Sequence, residues 1–241
     1  YAHLIYQAQG TVYRNWPLGA DTAFAFFDTA RVLLARRPEL APFWRAYLHK
    51  AVSNAAMDRM RPGLPDRERF AALCDREQRA ALAILREHHP GQVVEIGILQ
   101  NLRGLYHIYA DQPESAWHWL RRSEELVLAS GATDALLTIW FSSLRWQTFL
   151  LDRPEHWSDI HLLQRHLAKL QQAQERFTAF AAARTQARGL FFHDTYWYSP
   201  FASTVTLSAR LWELTGDTTY LDRTLWVVEK TRRDAWNIAQ D

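Results

Sequence analysis

The chain has 241 residues, 48% of them apolar and 22% charged, a balance that supports one large core or a short array of packed helices and excludes a disordered polymer. Its formal charge is +2, and lysine occurs only at Lys50, Lys169 and Lys230, so the positive side is almost all arginine; the short pairs Arg36-Arg37 and Arg121-Arg122 form no single basic stripe, which argues against nucleic acid and for ion pairs between neighbouring helices. The one cysteine, Cys74, excludes an intramolecular disulfide framework and fits a reducing, cytoplasmic setting, and with no apolar run near 18 residues neither a membrane span nor a signal peptide is expected.

Apolar residues recur at spacings of three and four along nearly the whole sequence, and strand-like alternation is almost absent, which predicts helices throughout. In chain order these run 2–15, 20–36, 41–60, 65–88, 92–109, 113–130, 133–151, 155–188, 200–214 and 218–239. Asp21 is placed to cap the second. Pro42, Pro65, Pro113, Pro154 and Pro200 each fall where a first-turn proline costs no hydrogen bond, with Ser199 the best cap. The breaks are short, as at Arg61-Pro62-Gly63, His89-Pro90-Gly91, Asp111-Gln112 and Gly216-Asp217, and short connections make consecutive helices antiparallel neighbours. Ten helices therefore pair as about five hairpins in a single domain over 1–241. Only 189–199 reads as a longer connection; its aromatics either dock on the helices or present Trp197 and Tyr198 as an anchor to a partner.

Two hairpins carry an internal repeat. Tyr6, Gly10 and Tyr13 precede Ala23, Phe27 and Ala30; in the middle, Gly104 lies twelve residues before Ala116, followed by Leu120 and Ser123. This pattern resembles the tetratricopeptide repeat, in which small residues let two helices cross closely and large ones fill the holes. Arg103 and His107 stand where leucine and tyrosine are usual, and residues 41–88 and 133–188 keep the hairpin without the signature. The resemblance implies an all-α, right-handed α-α superhelix.

The stretch Thr215-Gly216-Asp217-Thr218-Thr219-Tyr220-Leu221, running on to Val228-Glu229-Lys230-Thr231-Arg232, resembles the last repeat of tetratricopeptide arrays that precede a caspase-like CHAT peptidase domain in bacterial proteins. There a Gly-Asp, a Tyr-Leu and a Glu-Lys-Ser-Lys-like end recur; here Thr231-Arg232 replaces the Ser-Lys. Asn101-Leu102 with Gly104 and Tyr106 resembles the interior repeats. The resemblance implies a sensor or regulatory half of a longer protein with the peptidase in cis, and a start at Tyr1 rather than Met agrees with a fragment.

Candidate chemistry is sparse. Cys74 is separated from His88 by about 21 Å along one helix, so a Cys-His nucleophile pair is not expected there and a buried structural thiol is. His156, His161 and His166 are spaced by five, turning each about 140° from the last, whereas helical metal pairs need three or four; they read as surface or groove histidines, and no metal is expected. Eleven tryptophans raise the alternative of a carbohydrate-active α/α toroid, with Asp134, Asp159 and Asp194 as candidate acids. Asp134 reads instead as a first-turn carboxylate and Asp159 as a solvated face. No glycine-rich phosphate loop is present and no cofactor is expected.

Stacked hairpins line a concave groove with their first helices. Helical phase turns Gln7, Thr11, Arg14, Asn101, Leu105 and Ile108 toward it, with Arg145 and Gln147 joining them. Such a mixture suits a peptide or protein helix, Asn pairing with backbone amides and Arg with carboxylates. The expected function is a protein-binding scaffold with no chemistry of its own. The repeat domain of a signalling ATPase or transcription regulator would use the same groove.

Overall fold

Capping chemistry sets the helix ends. A computed structural model describes residues 19–36, 41–60, 63–131, 134–188 and 199–238. The expected helix 2–15, with Gln7, Thr11 and Arg14, and the segment holding Asp194, Trp197 and Tyr198 lie outside the described residues. Those residues form nine α-helices and no strand: α1 Gly19–Ala35, α2 Ala41–Asp58, α3 Arg67–His88, α4 Val93–Tyr109, α5 Pro113–Ala129, α6 Asp134–Leu151, α7 Ile160–Arg188, α8 Ser199–Thr215 and α9 Thr218–Ile238. The architecture is all-α and helical-repeat in kind, with consecutive helices packed on each other within each of two units.

The breaks that the sequence marks have identifiable geometry. After α4, Asp111 takes the left-handed conformation at φ 55°. The amides of Asp111 and Gln112 then reach back to the carbonyls of Ile108 and His107 at 3.1 and 2.9 Å, which is the paired hydrogen bonding of a Schellman cap with aspartate in glycine's usual place. After α8 the same left-handed position is Gly216, φ 69°, and Asp217 accepts the Thr219 amide at 2.9 Å and its hydroxyl at 2.8 Å to start α9. The Gly-Asp pair is thus one stop and one start in adjacent residues.

The long helix expected over 155–188 is divided. Pro154–His156 makes one 3-10 turn, and α7 begins only at Ile160, where the Asp159 carboxylate accepts the Leu162 amide at 2.8 Å. Asp159 is therefore an N-cap rather than one carboxylate on a solvated helix face.

Two compact units divide the chain, residues 1–126 and 127–241, with the boundary inside α5. In the first, α1 packs on α2, α2 on α3 and α3 on α4, and α2 also touches α4. Contact between every second helix is what stacked hairpins produce. Ala23, Phe27, Ala30 and Leu34 of α1 are buried against Leu48, Ala51, Val52 and Ala55 of α2, so the alanine and phenylalanine spacing noted in the sequence is the packed seam. Where α4 crosses α5, a β-carbon on Gly104 would stand 2.6 Å from two carbons of Leu120 and 3.4 Å from the Ala116 carbonyl oxygen. Ser123 donates to the Gly97 carbonyl at 3.0 Å across the same crossing.

In the second unit, α6 packs on α7 and α8, α7 on α8, and α8 on α9. Its core centres on Trp140, Phe141, Leu144, Leu163, Leu170, Leu207 and Leu211, all within 1% of complete burial.

Candidate functional site

A residue that meets a partner must first meet solvent. Of the described residues assigned by helical phase to a groove, Asn101, Ile108 and Gln147 are buried, Leu105 is half-buried and Arg145 is exposed. Asn101, Leu105 and Ile108 lie on a side of α4 that is turned largely inward. Asn101 and Gln147 both have interaction partners, as buried amides require.

Arg145 belongs to a different kind of surface. The spacing Arg145, Phe149, Arg153 is four and four, one side of α6 and the turn that follows it. The Arg145 guanidinium lies 5.0 Å from the Trp146 ring centre, the Trp146 and Phe149 rings meet edge to face at 6.1 Å, and Arg153 lies 5.9 Å from the Phe149 ring. Phe149 is 51% exposed. Arg145 has no carboxylate partner among the described residues, whereas Arg153 approaches Glu155 at 3.9 Å. This is a cation-flanked aromatic patch held in one geometry by its own ring contacts. Trp146, Phe149 and Arg153 were not singled out from the sequence, although the four-residue spacing was visible there.

The first unit contains a buried charge network. Arg103 of α4, 3% exposed, pairs with Asp75 of α3 at 3.0 Å and lies 5.0 Å from the Trp119 ring of α5. Its guanidinium also meets His107 Nε2 at 3.4 Å, while His107 Nδ1 meets Gln112 Oε1 at 2.7 Å. Since Gln112 Oε1 only accepts, His107 carries its proton on Nδ1 and offers the Nε2 lone pair to Arg103. Burial, helped by the Arg103 charge, pushes the His107 imidazole below its usual range against the opposing Gln112 hydrogen bond, and a neutral ring is what this geometry needs.

Glu77 is the other centre. Burial alone would raise its carboxyl, yet hydrogen bonds from His49 at 2.5 Å and Arg76 at 2.8 Å, with the Arg31 charge at 3.9 Å, hold it below the ordinary carboxylate range. Asp75 is lowered in the same way, Arg79 and Arg103 outweighing its burial. Lys50 pairs with Glu95 and sits 4.3 Å over the Tyr47 ring. These pairs tie α2 to α3, α3 to α4 and α2 to α4. Arg103 and His107 are thus partners in one network.

The remaining sequence candidates resolve differently. Cys74 is fully buried, and burial pushes its thiol up to about 12, so it stays protonated and a poor nucleophile. His166 is buried, not a surface or groove residue as its spacing suggested, and it meets Thr148 Oγ1 at 3.0 Å and the Leu144 carbonyl at 3.3 Å. Among the described residues no three His, Cys, Asp or Glu side chains converge as a metal site. No helix is long and apolar enough to cross a membrane, again among the described residues.

No family model, curated protein or solved structure matches the chain.

Proposed function

We propose that the chain is a helical-repeat interaction module that recognises a protein partner through the α6 face formed by Arg145, Trp146, Phe149 and Arg153. The observation that carries the reading is the half-exposed Phe149 ring packed edge to face on Trp146, beside a guanidinium with no carboxylate of its own among the described residues. Aromatic and arginine side chains supply most of the energy at protein interfaces, and an exposed, pre-organised cluster loses little side-chain entropy on docking. The flanking arginines favour a partner surface bearing carboxylates around an apolar centre. The resemblance of residues 215–232 to the last repeat before a CHAT peptidase supports a finer reading, in which the module is the sensor or regulatory half of such a protein.

The test is affinity capture from the source cells with wild type and with Arg145→Ala plus Phe149→Ala. A partner recovered by wild type and depleted tenfold or more by the double variant supports the reading, since losing two such side chains costs about 2–4 kcal/mol of binding. Unchanged recovery, or hydrolysis of a sugar or peptide by the purified chain that disappears on mutating a carboxylate, overturns it.

A further inference from the structure

A cleft of about 490 Å3 opens between α1, α2 and α3, wholly within the first unit. Its floor is apolar, made by Phe24, Phe27, Phe70 and Leu73. The Phe24 and Phe70 rings stack at 5.7 Å with 25° between their planes. Around them stand four arginines, Arg31, Arg59, Arg69 and Arg76, against two carboxylates, Asp28 and Asp66.

The arginines are not equivalent. Arg31 is answered by Asp28 at 2.9 Å and Arg76 by the buried Glu77 at 2.8 Å. Arg59 and Arg69 have no carboxylate partner among the described residues. Both instead lie against the Phe70 ring, at 5.1 and 5.8 Å from its centre. The Arg59 Nε is buried without a hydrogen-bond acceptor. A desolvated N–H of a charged group left unpaired is costly, and an anion beside the guanidinium would offset that cost electrostatically.

An apolar floor beneath two unanswered guanidiniums defines a ligand with two parts, and the volume falls in the range of small-molecule sites. We propose that this cleft binds a small amphipathic organic anion, its apolar body against the half-buried Phe24 and Leu73 and its carboxylate, sulfonate or phosphate at the Arg59 and Arg69 guanidiniums. Phosphate alone would leave the floor unused. A nucleobase would need an open ring to stack on, and here Phe27 and Phe70 are 1% and 6% exposed, with Phe70 flanked by Phe24 and both guanidiniums.

The test is fluorescence titration of the full chain with 8-anilinonaphthalene-1-sulfonate, paired with the uncharged N-phenyl-1-naphthylamine, then displacement by 1-naphthoate. Expected are one saturable sulfonate site per chain, displaced by 1-naphthoate, and uncharged-probe binding at least tenfold weaker. Arg59→Gln plus Arg69→Gln, with helical circular dichroism retained, is expected to weaken the sulfonate tenfold or more. Should the double variant fail to fold, the exposed Arg69→Gln alone is read in the same way, with a severalfold loss expected. Equal binding of charged and uncharged probes, or unchanged affinity in the folded variant, overturns the proposal. Displacement by an acidic, phenylalanine-containing peptide but not by 1-naphthoate also overturns it, and assigns the cleft to a protein segment. The assay contains no partner, so its outcome is independent of the α6 reading.

Discussion

Gly104 carries the most specific packing statement in the structure. Carbon atoms in contact settle about 3.5–4.0 Å apart, so a methyl group at position 104, built 2.6 Å from Leu120 Cγ and Cδ2, requires α4 and α5 to separate by about 1 Å. Leu120 is completely buried, so it cannot swing out into solvent. Overpacking of this kind costs about 1–3 kcal/mol. Replacing a mid-helix glycine by alanine returns about 0.5–1 kcal/mol of backbone entropy. The balance is a net loss of up to about 2.5 kcal/mol for Gly104→Ala, a fall of up to roughly 10 °C in the melting temperature. Gly91→Ala is the control, because nothing lies within 4 Å of the added carbon. The assay is thermal unfolding followed by helical circular dichroism, with Leu120→Ala and the double variant completing a cycle. The clash predicts that the double variant is more stable than the two single losses would sum to. If Gly104→Ala were stabilising, or indistinguishable from Gly91→Ala, the helix crossing as described would be wrong.

Acid should destabilise the first unit in two stages. His107 is held below 6.5, so the unfolded chain takes up its proton first; the stability this group contributes is present above pH 6.5 and is lost as pH falls toward the folded value. Asp75 and Glu77 are held below 3.8 and 4.5, and their contribution is lost only as pH falls below those values. Melting temperature measured from pH 8 to 3 should therefore be level at first, decline from about pH 6.5 and steepen below about pH 4.5, with His107→Gln flattening only the upper stage. A rise in stability between pH 6.5 and 5 would contradict the lowered ionisation of His107. In the second unit, Gly216→Ala places a β-carbon at φ 69° and should cost about 1–2 kcal/mol, read as a lower midpoint in urea; no change would mean the α8–α9 turn is not left-handed.

The local signals were legible because they act over short sequence distances. Glycine and proline breaks, the Gly216-Asp217 turn, and the run from Gly104 through Ala116 to Leu120 all express rules about adjacent turns or one crossing. Reading failed where polarity was taken for exposure. Asn101 and Gln147 are hydrophilic in composition but buried and partnered, and nothing local distinguishes a solvated amide from a paired one. The charge network was hidden for a related reason, since Lys50 meets Glu95 and Asp75 meets Arg103 only after α2, α3 and α4 have been packed together. Asp111 in glycine's conformation and Asp159 as a cap show how a carboxylate can end or begin a helix where composition suggests only surface. The arginine cleft draws on three helices and has no contiguous motif at all.

The claim that α6 is the recognition face is tested most directly by a photocrosslinking side chain introduced at position 149 and, as a control, at position 128, where Leu128 is comparably exposed at 46%. The account predicts a discrete crosslinked protein from position 149, lost when Arg145→Ala is added, and none of that species from position 128. The same species formed equally from both positions, or formed from 149 regardless of Arg145, would contradict it.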